Sequence, residues 1–119
     1  MSGYDYMRVA RRGLLLGALA LNAILLAGVE GTQAAPRTIV VSISDMNYGS
    51  IPRDLKVGDT INWVNHDTVS HTVTARDHSF DLRVNPGKTV PMLLDKPGVI
   101  LFYCTLHTAM RGTLNVAAK

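Results

Sequence analysis

From Arg37 onward the chain runs in short apolar and β-branched stretches, some of them alternating with polar positions, interrupted at short intervals by turn residues. Arg37–Ser44 is rich in β-branched residues and predicts a first strand. Asp45–Gly49 is turn-like. Ile51–Val57 predicts a broken or edge strand, because Pro52 has no N–H to give to a ladder. Gly58 and Asp59 make a turn. Thr60–Asn65 then alternates, with Ile61 and Trp63 on one face. His66–Ser70 predicts a loop, and His71–Thr74 starts another strand. Ala75–His78 is polar and turn-like, with a short strand over Phe80–Val84 after it. Asn85–Lys88 and Asp95–Gly98 are strong turn signals, and they bracket a strand from Thr89 to Leu94. Val99–Tyr103 leads into a loop that begins at Cys104, and Gly112–Val116 leaves that loop as the last strand. No helical period appears in this part of the chain. Seven or eight short strands with turns roughly every 8–12 residues predict an all-β fold, an antiparallel sandwich or barrel.

The N-terminal pattern is of another kind. Arg8, Arg11 and Arg12 form a positive region, and Gly13 to Val29 is an apolar run with Asn22 as its one clearly polar residue. Glu30–Ala35 is small and polar. That order predicts a secretory signal peptide over 1–35, cleaved after Ala34 or Ala35, with one domain over 36–119. The run is short for a bilayer-spanning helix, which needs about 20 residues. Left uncleaved, it would anchor the protein to the membrane. Ala10–Leu15 also resembles a twin-arginine export signal. The remaining 84 residues suffice for one core,.

Charge adds little. From Pro36 onward, nine Lys and Arg stand against seven Asp and Glu, for a net +2. With no basic cluster, nucleic-acid binding has no support. The cysteine count changes more. An exported protein meets an oxidising compartment, where cysteines usually pair, yet this chain has a single cysteine, Cys104. It is a buried inert thiol, half of an intermolecular disulfide, or a metal ligand.

Its neighbours bear on that choice. His107 follows three positions later and Met110 three after that. Thiolate, imidazole and thioether suit soft and borderline metals, copper above all. A blue-copper site needs two histidines, one cysteine and a weak axial ligand, often methionine. The strand pattern singles out His71 as the second histidine, where the loop after Thr60–Asn65 becomes a strand. A sandwich gathers such loop ends at one pole. Each residue also has an ordinary reading: His71 as a strand histidine bonded to backbone, Met110 and Trp63 as core, His66 and His78 as solvated loop positions.

At this point the sequence resembles the cupredoxins, and within them the amicyanin type. Cys104-x₂-His107-x₂-Met110, between an aromatic strand end and Arg111-Gly112, is similar to the short amicyanin ligand loop. Leu55–Asn65 and the lead-in Pro97-Gly98-Val99…Phe102-Tyr103-Cys104 resemble the family's corresponding segments. The likeness covers Thr38 to Val116. It implies a Greek-key cupredoxin-like β-sandwich with copper bound by His71, Cys104 and His107, and Met110 axial. It further implies a monomeric periplasmic one-electron carrier that serves redox proteins such as a c-type cytochrome and a periplasmic dehydrogenase. No small-molecule substrate is expected. An enzyme is disfavoured, since four protein ligands leave no open position and no Ser/His/Asp or paired-carboxylate pattern stands out. A binuclear copper site would need a second cysteine. A copper-delivery protein without an electron-transfer role, and a metal-free interaction module, are the competing readings.

The sequence departs from the amicyanin pattern at four places. Thr72 follows the first histidine where the family usually has Asn. A hydrogen bond from it toward Thr105 has a shorter reach. Leu106 and Thr108 flank His107 where prolines are usual, which predicts a less constrained loop and easier loss of His107 on reduction. Ala109 replaces a common aromatic, so methylamine dehydrogenase is not assured as the partner. Leu106, Ala109 and Met46 are expected to form a small apolar surround for His107, with Phe102 and Tyr103 helping to exclude water.

Overall fold

The computed structural model describes residue 28 and residues 31–119, so the charged and apolar parts of the predicted leader lie outside the described residues. Nine strands follow in order: β1 (Thr38–Ser44), β2 (Asn47–Tyr48), β3 (Leu55–Lys56), β4 (Thr60–Asn65), β5 (His71–Ala75), β6 (Asp81–Val84), β7 (Thr89–Leu93), β8 (Gly98–Tyr103) and β9 (Arg111–Ala117). They form a four-stranded sheet, β2-β1-β4-β7, and a five-stranded sheet, β3-β9-β8-β5-β6. No helix occurs among the described residues.

The strand count exceeds the expected seven or eight because two pairs are very short. Asp45 and Met46 both take positive φ, 51° and 61°. Two successive left-handed residues match the twist of a tight hairpin. Asn47–Tyr48 therefore folds back on Ser44 and Ile43 as β2, where the sequence read only a turn. Within Ile51–Val57, only Leu55 and Lys56 pair, along the edge of β9. The remaining predicted strands agree to within a residue or two. The sheets are not purely antiparallel, however. β1 runs parallel to β4, and β3 parallel to β9. The chain leaves the first sheet after β2, adds β3 to the second, and returns as β4. β4 re-enters beside β1 and in the direction of β1, opposite to that of β2.

The core is the space between the sheets. Val41, Ile43, Ile61 and Trp63 from one sheet meet Val73, Val84, Phe102 and Leu114 from the other, all essentially inaccessible. The alternation of Thr60–Asn65 is realised as predicted, with Ile61, Trp63 and Asn65 inward. Phe102 lies at the centre of an aromatic cluster, with ring centroids 4.8 Å from Tyr48 and 5.4 Å from Trp63, both edge-on. Edge-to-face pairs add about 0.5–1.5 kcal/mol each beyond the area they bury. Phe102 is two residues before Cys104, so this aromatic cluster supports the strand end that carries the cysteine.

Candidate metal centre

β8 and β9 are neighbours throughout their length, ending in the pair Tyr103↔Arg111. The loop Cys104–Met110 therefore has both ends fixed by one ladder. Cys104 N–H donates to the Met110 carbonyl (3.1 Å), and Met110 N–H donates to the His107 carbonyl (2.9 Å). Those two bonds fold the loop tightly and turn Cys104 and Met110 inward, to 0% and 4% exposure. β5 lies beside β8, paired through Thr74↔Tyr103 and Ala75↔Phe102. Its first residue, His71, is thereby brought under the loop and is fully buried.

Three predicted ligands converge. His71 Nδ1 lies 3.9 Å and His107 Nδ1 3.8 Å from Cys104 Sγ. The ligand atoms of the three residues all fall within 4.8 Å of one another. These separations fit a shared ion. Legs of about 2.1 Å to nitrogen and about 2.3 Å to sulfur, opened at the roughly 120° of a trigonal site, span about 3.8 Å. Met110 is buried at the base of the same loop, and His66 and His78 are exposed, as read from the sequence. His107 is only half-buried, so one edge of the site reaches the surface, flanked by exposed Leu106 and Ala109, and Met46 is exposed as well.

The ring orientation of His71 is determined by a residue the sequence reading passed over. Asp67 Oδ2 accepts a 2.7 Å hydrogen bond from His71 Nε2. A carboxylate only accepts, so Nε2 carries the proton and Nδ1 presents its lone pair toward Cys104. Asp67 is itself fixed by the N–H groups of Asp45 (2.8 Å) and Met46 (3.1 Å). The Met46 N–H, with further help from His71 and Asp45, holds its carboxyl below the usual carboxylate range against the opposing effect of burial. The sequence offers only its position, a carboxylate four residues before the histidine in the loop that leads into β5. Asn65, fully buried, ties that loop down by donating to the carbonyls of Val69 (2.8 Å) and Val84 (2.9 Å).

The sulfur is prepared in the same way. Burial alone would raise the Cys104 thiol, but hydrogen bonds to the sulfur, the Thr72 N–H at 3.3 Å first among them, outweigh it and bring the group down to about 6. A thiolate is the form that binds metal. Thr72 also makes the link to the loop that its short side chain left in question. Its Oγ1 accepts the Thr105 N–H at 2.8 Å and lies 3.2 Å from Thr105 Oγ1. The Thr72 carbonyl accepts from the Tyr48 hydroxyl, which ties the same residue to the aromatic cluster.

Comparison with known proteins agrees with this geometry. The sequence profile of the cupredoxin-like domain matches residues 16–116. The chain belongs to the cupredoxin-like family. Amicyanin from Paracoccus denitrificans is 28% identical over 90 residues, which cover 71% of this chain and 69% of that protein. Among solved structures, an amicyanin variant in its reduced state superposes with a TM-score of 0.58 at 28% identity, over 67% of this chain and 82% of that one. A Cu(I) form of another amicyanin variant gives 0.58 at 27% identity over the same shares. Within the family, then, this chain is similar to amicyanin.

Proposed function

We propose that the chain is a periplasmic mononuclear type 1 copper protein that carries single electrons between redox proteins, such as a c-type cytochrome and a periplasmic dehydrogenase. In this reading 1–35 is an export leader and 36–119 the copper domain. Copper would be held by His71 Nδ1, Cys104 Sγ and His107 Nδ1, with Met110 as the fourth donor. The carrying observation is the convergence of those three donor atoms within 4.8 Å while the other nitrogen of His71 is committed to Asp67. Bound copper would supply a Cu(I)/Cu(II) couple. The protein's own part is to keep the donors still, since an electron moves over a small barrier when little rearranges. The Asp67 bond fixes one imidazole, the Thr72–Thr105 link fixes the loop, and the aromatic cluster keeps water from the sulfur. Half-buried His107 gives the electron an edge to leave by, and the small apolar rim around it suits a brief encounter. Four protein donors leave no site for a substrate, which supports a carrier rather than an enzyme.

The competing reading is copper delivery without electron transfer. The Thr72–Thr105 link favours the carrier, because a delivery site has no need of rigidity. The test is the visible and EPR spectrum after adding Cu(II). An intense blue band with narrow hyperfine splitting, lost in Cys104→Ser, is expected. A pale solution with type 2 splitting would overturn the carrier reading and support delivery.

A further inference from the structure

Thr72 does not act alone. Thr74 Oγ1 is placed to donate both to Thr72 Oγ1 at 3.0 Å and to Asp81 Oδ1 at 2.7 Å, and the shorter bond to the charged carboxylate is the stronger. Thr74 and Asp81 are direct cross-strand partners of β5 and β6, and Thr72 and Thr74 share one face of β5. Thr72 and Thr74 are buried and Asp81 is exposed. The chain of contacts thus runs from the surface of β6 to the backbone N–H of the residue that follows Cys104.

We propose that Asp81 is a positioning residue for the Cys104–Met110 loop, acting through the hydroxyls of Thr74 and Thr72 on the Thr105 amide. The direction of the chain follows from proton bookkeeping. A hydroxyl has one proton to donate, and a carboxylate accepts only. Asp81 therefore takes the Thr74 proton. Thr74 Oγ1 can then only accept from Thr72, and Thr72 presents its lone pairs to Thr105. There they receive both the N–H and the hydroxyl. Without Asp81, the Thr74 proton is free to point at Thr72, and the Thr72 hydroxyl turns to donate to Thr105 Oγ1. The carboxylate selects between two otherwise similar arrangements. In the selected one the hydroxyl dipoles point their negative ends at the metal pole, which favours the more highly charged state of a bound ion. Chains of this kind polarise each bond in turn. They let three short side chains do what one longer amide would otherwise do.

The role as a loop support stands on the protein's own groups, whereas the effect on redox balance rests on the copper reading above. The experiment therefore has two arms. The first measures hydrogen exchange of the Thr105 amide by NMR in the metal-free protein. The second measures the Cu(I):Cu(II) ratio at fixed solution potential in about 1 M salt, where the Debye length of about 3 Å removes the bare charge of Asp81. Thr74→Val, which keeps the shape, and Asp81→Ala are each expected to speed Thr105 exchange roughly threefold to tenfold, the worth of about one net hydrogen bond. Each is also expected to shift the ratio toward Cu(I). The double variant should match the singles, since all break one chain, and Thr74→Ser should restore wild-type behaviour. Wild-type exchange in Asp81→Ala overturns the proposal, and so do additive effects in the double variant. Asp81 is exposed, so that arm stands even where Thr74→Val fails to fold. Failure to bind copper, with the exchange results as expected, would reject the copper reading and leave the chain intact.

Discussion

Gly112 faces Phe102 across the β8–β9 ladder, and the ring lies directly over it. A Cβ built at Gly112 would meet the ring at 2.2, 2.6 and 2.8 Å. Its backbone is not left-handed, so any penalty for a side chain there is steric. Ordinary carbon contact is about 3.5 Å or more, and the ring would have to retreat by more than about 1 Å. It has nowhere to go. Tyr48, Trp63 and Phe80 enclose it, with centroids at 4.8, 5.4 and 6.4 Å. Forcing a methyl into packing of this kind costs about 3 kcal/mol, the upper end of the usual overpacking range. For a domain of this size that lowers Tm by about 12–24 °C. Gly112→Ala should be followed by urea and thermal unfolding of the metal-free protein, so that metal affinity does not enter. Phe102→Leu in the same background should recover part of the loss, with a coupling energy of roughly 0.5–3 kcal/mol. A cost below about 1 kcal/mol for Gly112→Ala, or strict additivity with Phe102→Leu, would show that the ring yields easily. The aromatic cluster would then not be the rigid support claimed for the cysteine.

Three further outcomes follow. Asp67→Ala frees the His71 ring, and copper affinity in a chelator competition should fall about tenfold to a hundredfold, while Asp67→Asn, which keeps an acceptor, should fall less; equal affinity in all three proteins would remove Asp67 from the site. The metal-free protein should gain stability between pH 6 and pH 9. There the folded thiolate, brought down to about 6 from an ordinary 9.0, has released a proton that the unfolded thiol still holds; the gain, at most about 1.4 kcal/mol per pH unit, disappears as pH falls through 6 and should be flattened in Cys104→Ser. Copper at a hundred times its Kd should stabilise the native state by about 2.7 kcal/mol through mass action, and chelation should reverse this; a Cys104→Ser protein stabilised to the same extent would mean the ion sits elsewhere.

Much of the fold was legible because the sheets are half-buried and their alternation survives in the sequence. Thr60–Asn65 is the clearest case, inward at Ile61, Trp63 and Asn65 as its period requires. What the pattern could not carry was pairing. Nothing local in Thr38–Ser44 says that its partner is Thr60–Asn65, in parallel, across an excursion into the other sheet. The two-residue strands were illegible for a different reason: Asn47–Tyr48 and Leu55–Lys56 are too short to show a period. At the site, His71, Cys104 and His107 were readable because soft donors are scarce in this chain and their spacing is distinctive. Asp67 was missed although it lies only four residues from His71, because a loop carboxylate has no pattern of its own. Asp81 could not have been found at all, since its relation to Thr74 exists only through the β5–β6 register.

The departures from the amicyanin pattern now have a common physical sense. Leu106 and Thr108 give the loop none of the restraint that prolines around His107 would supply, and the sequence alone predicts a looser site. Prolines restrain by limiting the conformations open to the chain, whether folded or not. Here the restraint is made in the folded state instead. The loop is closed on itself by Cys104 N–H to Met110 and Met110 N–H to His107, and fastened to β5 by Thr72 and Thr105. Such bonds hold only while β5, β8 and β9 stay in register, so the rigidity of the centre depends on the integrity of that sheet. Damage to the β8–β9 packing at Gly112 should therefore loosen the metal loop as well as lower stability. Copper in Gly112→Ala should show broadened type 1 features before the domain unfolds. A sharp, unchanged spectrum in a strongly destabilised variant would mean that the loop holds its shape without the sheet.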